Sequence, residues 1–193
     1  LEAGLRRGGW SDLAEAWLPL IEQLAPTIRR RLGRLSVGDW ELPRQVLVQQ
    51  GIHPNAMEEL VSAGSQALLP EFMQGRKPAE PFRQLWIAAA MQSLDDVEIV
   101  RLEARPLEPT NTSLPIPAGG ARLVLVEVPE GDPLDLGING TPLMEMLVFG
   151  ANGQVEEERG QLRVVRIPAE AGSPLQVLVT NQGVSSSLFT LSC

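Results

Sequence analysis

The sequence predicts an α+β protein, with an all-helical N-terminal domain followed by a C-terminal antiparallel β-sandwich. Three observations predict it. Across residues 10–94 the apolar side chains recur at helical spacing; from residue 97 onward they alternate or fall in short runs; and Gly, Pro, Asn and Asp punctuate those runs. The implied layout is a helical domain over 1–96, a strand and Pro-rich linker over 97–120, and a β-sandwich domain over 121–193.

Taken in order, Ser11 and Asp12 open a helix whose stripe is Leu13, Trp17, Leu20, Ile21 and Leu24. Pro19 and Pro26 lack an amide donor and predict a kink or a restart. Over 27–35, Ile28, Leu32 and Leu35 share one face of a helix, leaving Arg29, Arg30, Arg31 and Arg34 on its outside. A break over 36–39 leads to Trp40 and a short helix over 43–50, with Pro43 in its first turn and Gly51 as the left-handed residue after its end. Asn55 with Glu58 resembles a capping box, and Met57, Leu60 and Val61 follow on one side. Gly64 or Ser65 opens another short helix, and residues 75–81 read as a loop. From Phe82, the positions Leu85, Trp86, Ala89, Ala90 and Leu94 carry the strongest helical signal, and the small alanines predict close packing inside a bundle.

In the second half, Val100, Leu102 and Ala104 alternate with Arg101, Glu103 and Arg105, the pattern of a half-buried strand. Prolines at 106, 109, 115 and 117 make 106–120 an extended linker. Seven strands are expected after it, over 121–128, 134–138, 143–149, 154–158, 162–167, 175–180 and 186–191. Asn139-Gly140 and Asn152-Gly153 signal hairpin turns.

Composition narrows function. The chain has 193 residues, 44% hydrophobic and 21% charged, which suffices for a core and excludes disorder. The net charge of -8 opposes broad attraction to nucleic acid or anionic lipid. No run of about 18 apolar residues exists, so no membrane span is expected. One His, one Cys and no Tyr leave few side chains for acid–base or nucleophilic chemistry near neutral pH. Cys193 has no disulfide partner, and His53 in a predicted turn has no second His or nearby Cys, so neither a zinc site nor a Cys-His dyad can form. No nucleophile elbow, Walker loop or dinucleotide fingerprint is present. The neighbouring carboxylates Glu58-Glu59, Asp95-Asp96 and those of 156–158 diverge on either a helix or a strand, and Asp132 with Asp135 read as exposed turn acids rather than a Ca²⁺ site. Residues 43–61 have the outline of a helix-turn-helix, but Glu58 and Glu59 on its second helix oppose phosphate. No catalytic residue, metal or cofactor is therefore expected.

What remains is recognition. Arg29, Arg30, Arg31 and Arg34 offer guanidinium forks to carboxylates, and Trp10 and Trp40 stand outside the helical stripes as interface anchors. Residues 106–193 hold four Arg (122, 159, 163 and 166) against ten carboxylates, so the β half carries most of the acidity. The expected partner is another protein, or a second copy joined through the basic helix and the acidic β half. The function expected is a non-enzymatic adaptor, assembly factor or scaffold. A ligand-binding accessory region of a larger secreted or surface protein is the alternative, and a hydrolase using carboxylates between the two halves, with Asp132 and Asp135 as its best candidates, is the third and least supported reading. All basic residues but Lys77 are Arg, which suggests a bacterial source, and a cytoplasmic location is favoured over export. The chain begins at Leu1 rather than Met, so a preceding segment with room for a signal or anchor is expected.

Overall fold

The computed structural model describes residues 18–19, 21–68, 83–95, 97–105, 108–129, 131, 133–151, 153, 155–159 and 162–193. Among the described residues, the helices with defined bounds come first: α1 (Pro26–Arg29), α2 (Val37–Gln49), α3 (Pro54–Leu68) and α4 (Arg83–Asp95). Nine strands follow among the described residues: β1 (Ile99–Glu103), β2 (Asn111–Ile116), β3 (Ala121–Glu127), β4 (Leu134–Asn139), β5 (Met144–Phe149), β6 (Val155–Arg159), β7 (Leu162–Ile167), β8 (Leu175–Asn181) and β9 (Ser187–Ser192). They form two open sheets, one of five strands in the order β1-β3-β8-β5-β6 and one of four in the order β2-β9-β4-β7. Among the described strands, β1 and β3 run parallel and the other neighbours are antiparallel. The α+β class follows.

Strand alternation builds two cores on the five-stranded sheet. Val124, Val126, Met146, Val148, Val177 and Val179 turn toward Ile116, Leu136, Ile138, Val165, Phe189 and Leu191 of the other sheet. Their neighbours Leu123, Leu125, Leu147, Phe149 and Leu178 turn the opposite way and meet Leu47, Met57, Leu60 and Leu94 of the helices and Ile52 of the turn between α2 and α3. Each fully buried side chain of this size contributes roughly 1.5–3 kcal/mol, so both faces hold the layers together. β8 lies between them and is buried at every residue, which is why its sequence reads as an apolar run.

Helix α4 occupies the middle of the helical layer. Ile87, Ala88, Ala89 and Ala90 are consecutive and fully buried, Ala90 facing the sheet-side cluster while Ala88 and Ala89 face Leu24, Ile28 and Leu35. Small side chains let neighbours approach from both sides, as the alanines predict.

Several boundaries differ from the sequence expectation. The helix expected over 27–35 is a single turn, because after Arg29 the chain tightens into i→i−3 bonds, Arg31 N–H to the Ile28 carbonyl at 2.9 Å and Arg34 N–H to the Arg31 carbonyl at 2.9 Å. The break expected over 36–39 is instead the start of α2. Ser36 precedes the helix, and its N–H and hydroxyl both donate to the Asp39 carboxylate, at 2.7 and 2.9 Å. Pro43 thus lies inside α2, and Trp40 belongs to it rather than to a linker. Helix α3 runs through Gly64 without a break.

The expected linker over 106–120 contains β2, which pairs with β9 as an edge strand and tolerates Pro115 there. The Asn139-Gly140 hairpin is not formed, since β4 and β5 belong to different sheets and the chain crosses between them at this point. Gly140 serves packing instead: a Cβ on it would stand 2.5 Å from Met144 Sδ. Phe149 pairs with Val155 across the β5–β6 turn, where the second hairpin was expected, although Asn152 lies outside the described residues.

Candidate functional site

The arginine segment is pinned from its apolar side. Ile28 and Leu35 are buried against α4, and the Gln84 side chain holds Leu35 at both ends, accepting from its N–H at 2.9 Å and donating to its carbonyl at 2.7 Å. The intervening arginines consequently face outward, and Arg29, Arg30, Arg31 and Arg34 are all exposed. Arg31 is committed to an ion pair with Asp39. Three hydrogen bonds converge on that carboxylate, the Ser36 N–H first, then the Ser36 hydroxyl and Arg31, and they hold it below the ordinary carboxylate range. Arg30 Nε donates to the Pro26 carbonyl at 3.1 Å. Among the described residues, no carboxylate pairs with Arg29, Arg30 or Arg34.

Helix α2 adds apolar surface to this side of the protein. Its inward face carries Trp40 and Leu47, and Trp40 meets Trp86 edge-on with ring centroids 5.4 Å apart. The other side exposes Leu42 at 64% and Val46 at 52%, one helical turn apart, and Val37 and Val48 are also exposed. The two predicted tryptophan anchors therefore fare differently: Trp40 is half-buried in the helical core with Arg44 over its ring, and Trp10 lies outside the described residues. Sequence reasoning missed Leu42 and Val46, because a helix begun at Pro43 assigns Leu42 to no face.

A second feature lies at one end of the two sheets. Two adjoining hollows, of about 300 and 320 Å³, share Val128, Pro129 and Leu134 as a dividing ridge. Their rim charges are engaged: Arg105 pairs with Glu103 and Glu108 at 3.6 and 3.8 Å, and Arg166 with Asp135 at 3.9 Å. Asp132 lies outside the described residues. Ser173 Oγ accepts from the Val128 N–H at 2.9 Å and donates to Glu127 at 3.2 Å. Cys193 lines the first hollow, and burial pushes its thiol pKa up, which keeps it protonated and weakly nucleophilic. Among the described residues, no three His, Cys, Asp or Glu side chains converge to hold a metal.

His53 has a structural setting. Its Nδ1 accepts from the Asn55 N–H at 3.1 Å, capping the first turn of α3, and its ring lies nearly parallel to Phe149, 6.3 Å between centroids. Arg163 is the polar residue the sequence did not flag. Its position on β7 faces the space between the sheets, it is fully buried, and it donates to the carbonyls of Met144 at 3.1 Å and Thr141 at 2.6 Å, while Nη1 has no partner among the described residues. Burial lowers its pKa.

No protein-family model matches the chain, and no curated protein matches it in sequence. Twenty-three chains of known structure are similar to it. One is the pre-peptidase C-terminal domain of a collagenase from Bacillus anthracis, at 12% identity and a TM-score of 0.37, spanning 49% of this chain and 92% of that one. Another is PliG of Aeromonas hydrophila, a periplasmic inhibitor of g-type lysozyme, at 10% identity and a TM-score of 0.37, over 50% of this chain and 96% of the other. A third is PirA, at 16% identity and a TM-score of 0.29, over 42% and 90%. Among the described residues, no helix is long and apolar enough to cross a membrane.

Proposed function

We propose that this chain is a non-enzymatic protein-binding module, an adaptor, assembly factor or scaffold of the bacterial cytoplasm, with its two sheets acting as a β-sandwich that carries the helical layer. The observation that supports this reading is the pairing of exposed Leu42 and Val46 on α2 with the arginine turn, whose Arg29, Arg30 and Arg34 have no carboxylate partner among the described residues. Isolated exposed apolar residues are ordinary, but two that are one turn apart offer area worth about 25 cal/mol per Å² once covered. Guanidinium groups beside such area suit a partner that presents carboxylates around an apolar patch.

The test is affinity capture on the full chain beside two variants, one with Arg29, Arg30 and Arg34 changed to Ala and one with Leu42 and Val46 changed to Ser, all checked for equal thermal stability. One partner recovered in stoichiometric amount and lost with both variants is expected. Equal recovery by all three baits would overturn the reading.

The paired hollows favour a second reading, a ligand-binding accessory region of a larger secreted or surface protein. A glycan and small-molecule screen in which a hit disappears with Leu134→Trp, which fills the shared ridge, is the result that would replace the first reading with this one.

A further inference from the structure

The end of the two sheets opposite the hollows carries three loops, 117–120 between β2 and β3, 140–143 between β4 and β5, and 182–186 between β8 and β9. None of their residues is charged. The chain as a whole has a net charge of -8, and helices α2 and α3, strands β1 and β6 and the lining of the first hollow all contain charged residues. Of the described side chains next to the three loops, Arg122 pairs with Glu98 at 3.1 Å, Glu145 accepts from Gln182 Nε2 at 2.9 Å, and Arg163 is buried beneath Thr141.

Apolar side chains project from this end instead. Val184 is 99% exposed, Leu188 63% and Leu143 56%, and Pro117 and Pro142 of the same loops are exposed as well. The loops that carry Leu143 and Val184 abut: the Gln182 N–H donates to the Leu143 carbonyl at 2.9 Å, and a Cβ on Gly183 would stand 3.5 Å from Leu143 Cδ1. Leu188 flanks them on β9, opposite Pro115. Beneath, the buried Asn181 ties the loops together. Its Nδ2 donates to the carbonyls of Pro117 at 3.1 Å and Ser185 at 2.9 Å, and its Oδ1 accepts from the Gly183 N–H at 2.9 Å. The Gly119 N–H reaches the Gly183 carbonyl at 3.3 Å. Backbone groups that already bond within the molecule forfeit little when water is removed, so this end is cheap to cover.

We propose that this end pairs with the same end of a second copy of this chain, about a two-fold axis beside Val184. The distribution of charge selects that occupant. Two chains of net charge -8 repel wherever their charged surfaces meet, and here they approach with no charge on either loop set. A basic protein drawn to this acidic chain is steered to its carboxylates, and an uncharged end gives it nothing to pair with. An apolar patch is also its own complement, which a symmetric contact requires. Val184 projects furthest and meets its counterpart across the axis. The end of two sheets is smaller than a standard interface of about 1,600 Å², so the association is reversible and depends on concentration. This surface is separate from the arginine turn and α2, so the proposal stands or falls independently of the binding function above.

The experiment is sedimentation velocity on the full chain across a concentration series, at low and at high salt. A species of twice the chain mass is expected, and added salt should preserve or tighten it by screening the repulsion between the two chains. Val184→Glu and Val184→Lys should each raise the dimer Kd by about 100-fold or more, since like charges then face each other across the axis. Both substitutions fall on a side chain free of packing, so neither disturbs the fold. Mixing the two variants should restore a species of twice the mass, because each mixed pair places opposite charges together. A chain that stays monomeric at every concentration would overturn the proposal and leave this end to a partner of another kind. A dimer that salt dissolves, or one indifferent to Val184→Glu, would overturn it too, by placing the interface on a charged surface elsewhere.

Discussion

The backbone N–H of His53 donates to Oε1 of Gln176 at 2.7 Å, across 123 positions of sequence. The same side chain donates from Nε2 to the Gly51 carbonyl at 2.8 Å, so one carboxamide holds both ends of the turn between α2 and α3 against β8. Gln176 stands in a strand buried at every position, where an unpaired amide would be costly. It is paid for by a turn whose own polar groups need partners in the same place.

Gln176→Leu should therefore destabilise the protein by about 1–3 kcal/mol, since it leaves the part-buried His53 N–H and Gly51 carbonyl without their partner. Chemical denaturation of both forms measures this. A loss below about 0.5 kcal/mol would mean that water or a shifted turn satisfies both groups.

Gly153 faces the imidazole of His53 with φ +73, and a Cβ there would stand 2.8 Å from Nε2. Gly153→Ala should cost about 1–3 kcal/mol from the left-handed backbone and the contact together. In the His53→Ala background the contact part should vanish while the backbone part stays. Equal losses in both backgrounds would show that the ring yields freely.

Asp39 bears on acid stability. Its carboxyl is held below its ordinary 3.8 by the Ser36 N–H, then the Ser36 hydroxyl and Arg31. A depressed folded pKa means that the stabilisation is present in full above the unfolded value and is lost as pH falls through the folded one. Asp39→Asn should thus lower stability at neutral pH and flatten the decline below about pH 4. Parallel curves for the two proteins would show that Asp39 contributes nothing to that decline.

Arg163→Met keeps most of the buried volume but leaves the Met144 and Thr141 carbonyls without their donors. Loss of those bonds should outweigh relief of the buried charge, for a net destabilisation of about 1–3 kcal/mol in thermal or denaturant unfolding. A variant as stable as the parent would mean that the desolvated guanidinium costs as much as its two hydrogen bonds return.

Periodicity was a sound guide wherever one face of an element decides its burial. The strands expected over 121–128, 162–167, 175–180 and 186–191 match β3, β7, β8 and β9 to within a residue at most positions, and the alanines of 88–90 sit in the middle of the helical layer. It failed where a local cue was outvoted. Ser36 and Asp39 read as a break although they open α2, and Asn139-Gly140 read as a hairpin although β4 and β5 lie in different sheets. For the candidate surface, the four arginines were legible as exposed cations, whereas the Leu42–Val46 pair depended on where α2 begins.

By itself, the sequence determined the α+β class, the order of helices before strands, and the scarcity of catalytic side chains, because these follow from short-range periodicity and composition. The tertiary structure alone decided which strands share a sheet, that the five-stranded sheet is buried on both faces, that Gln176 meets His53, and that Arg163 is buried. Strand pairing joins residues far apart in sequence, and nothing in the local alternation of a strand names its neighbour.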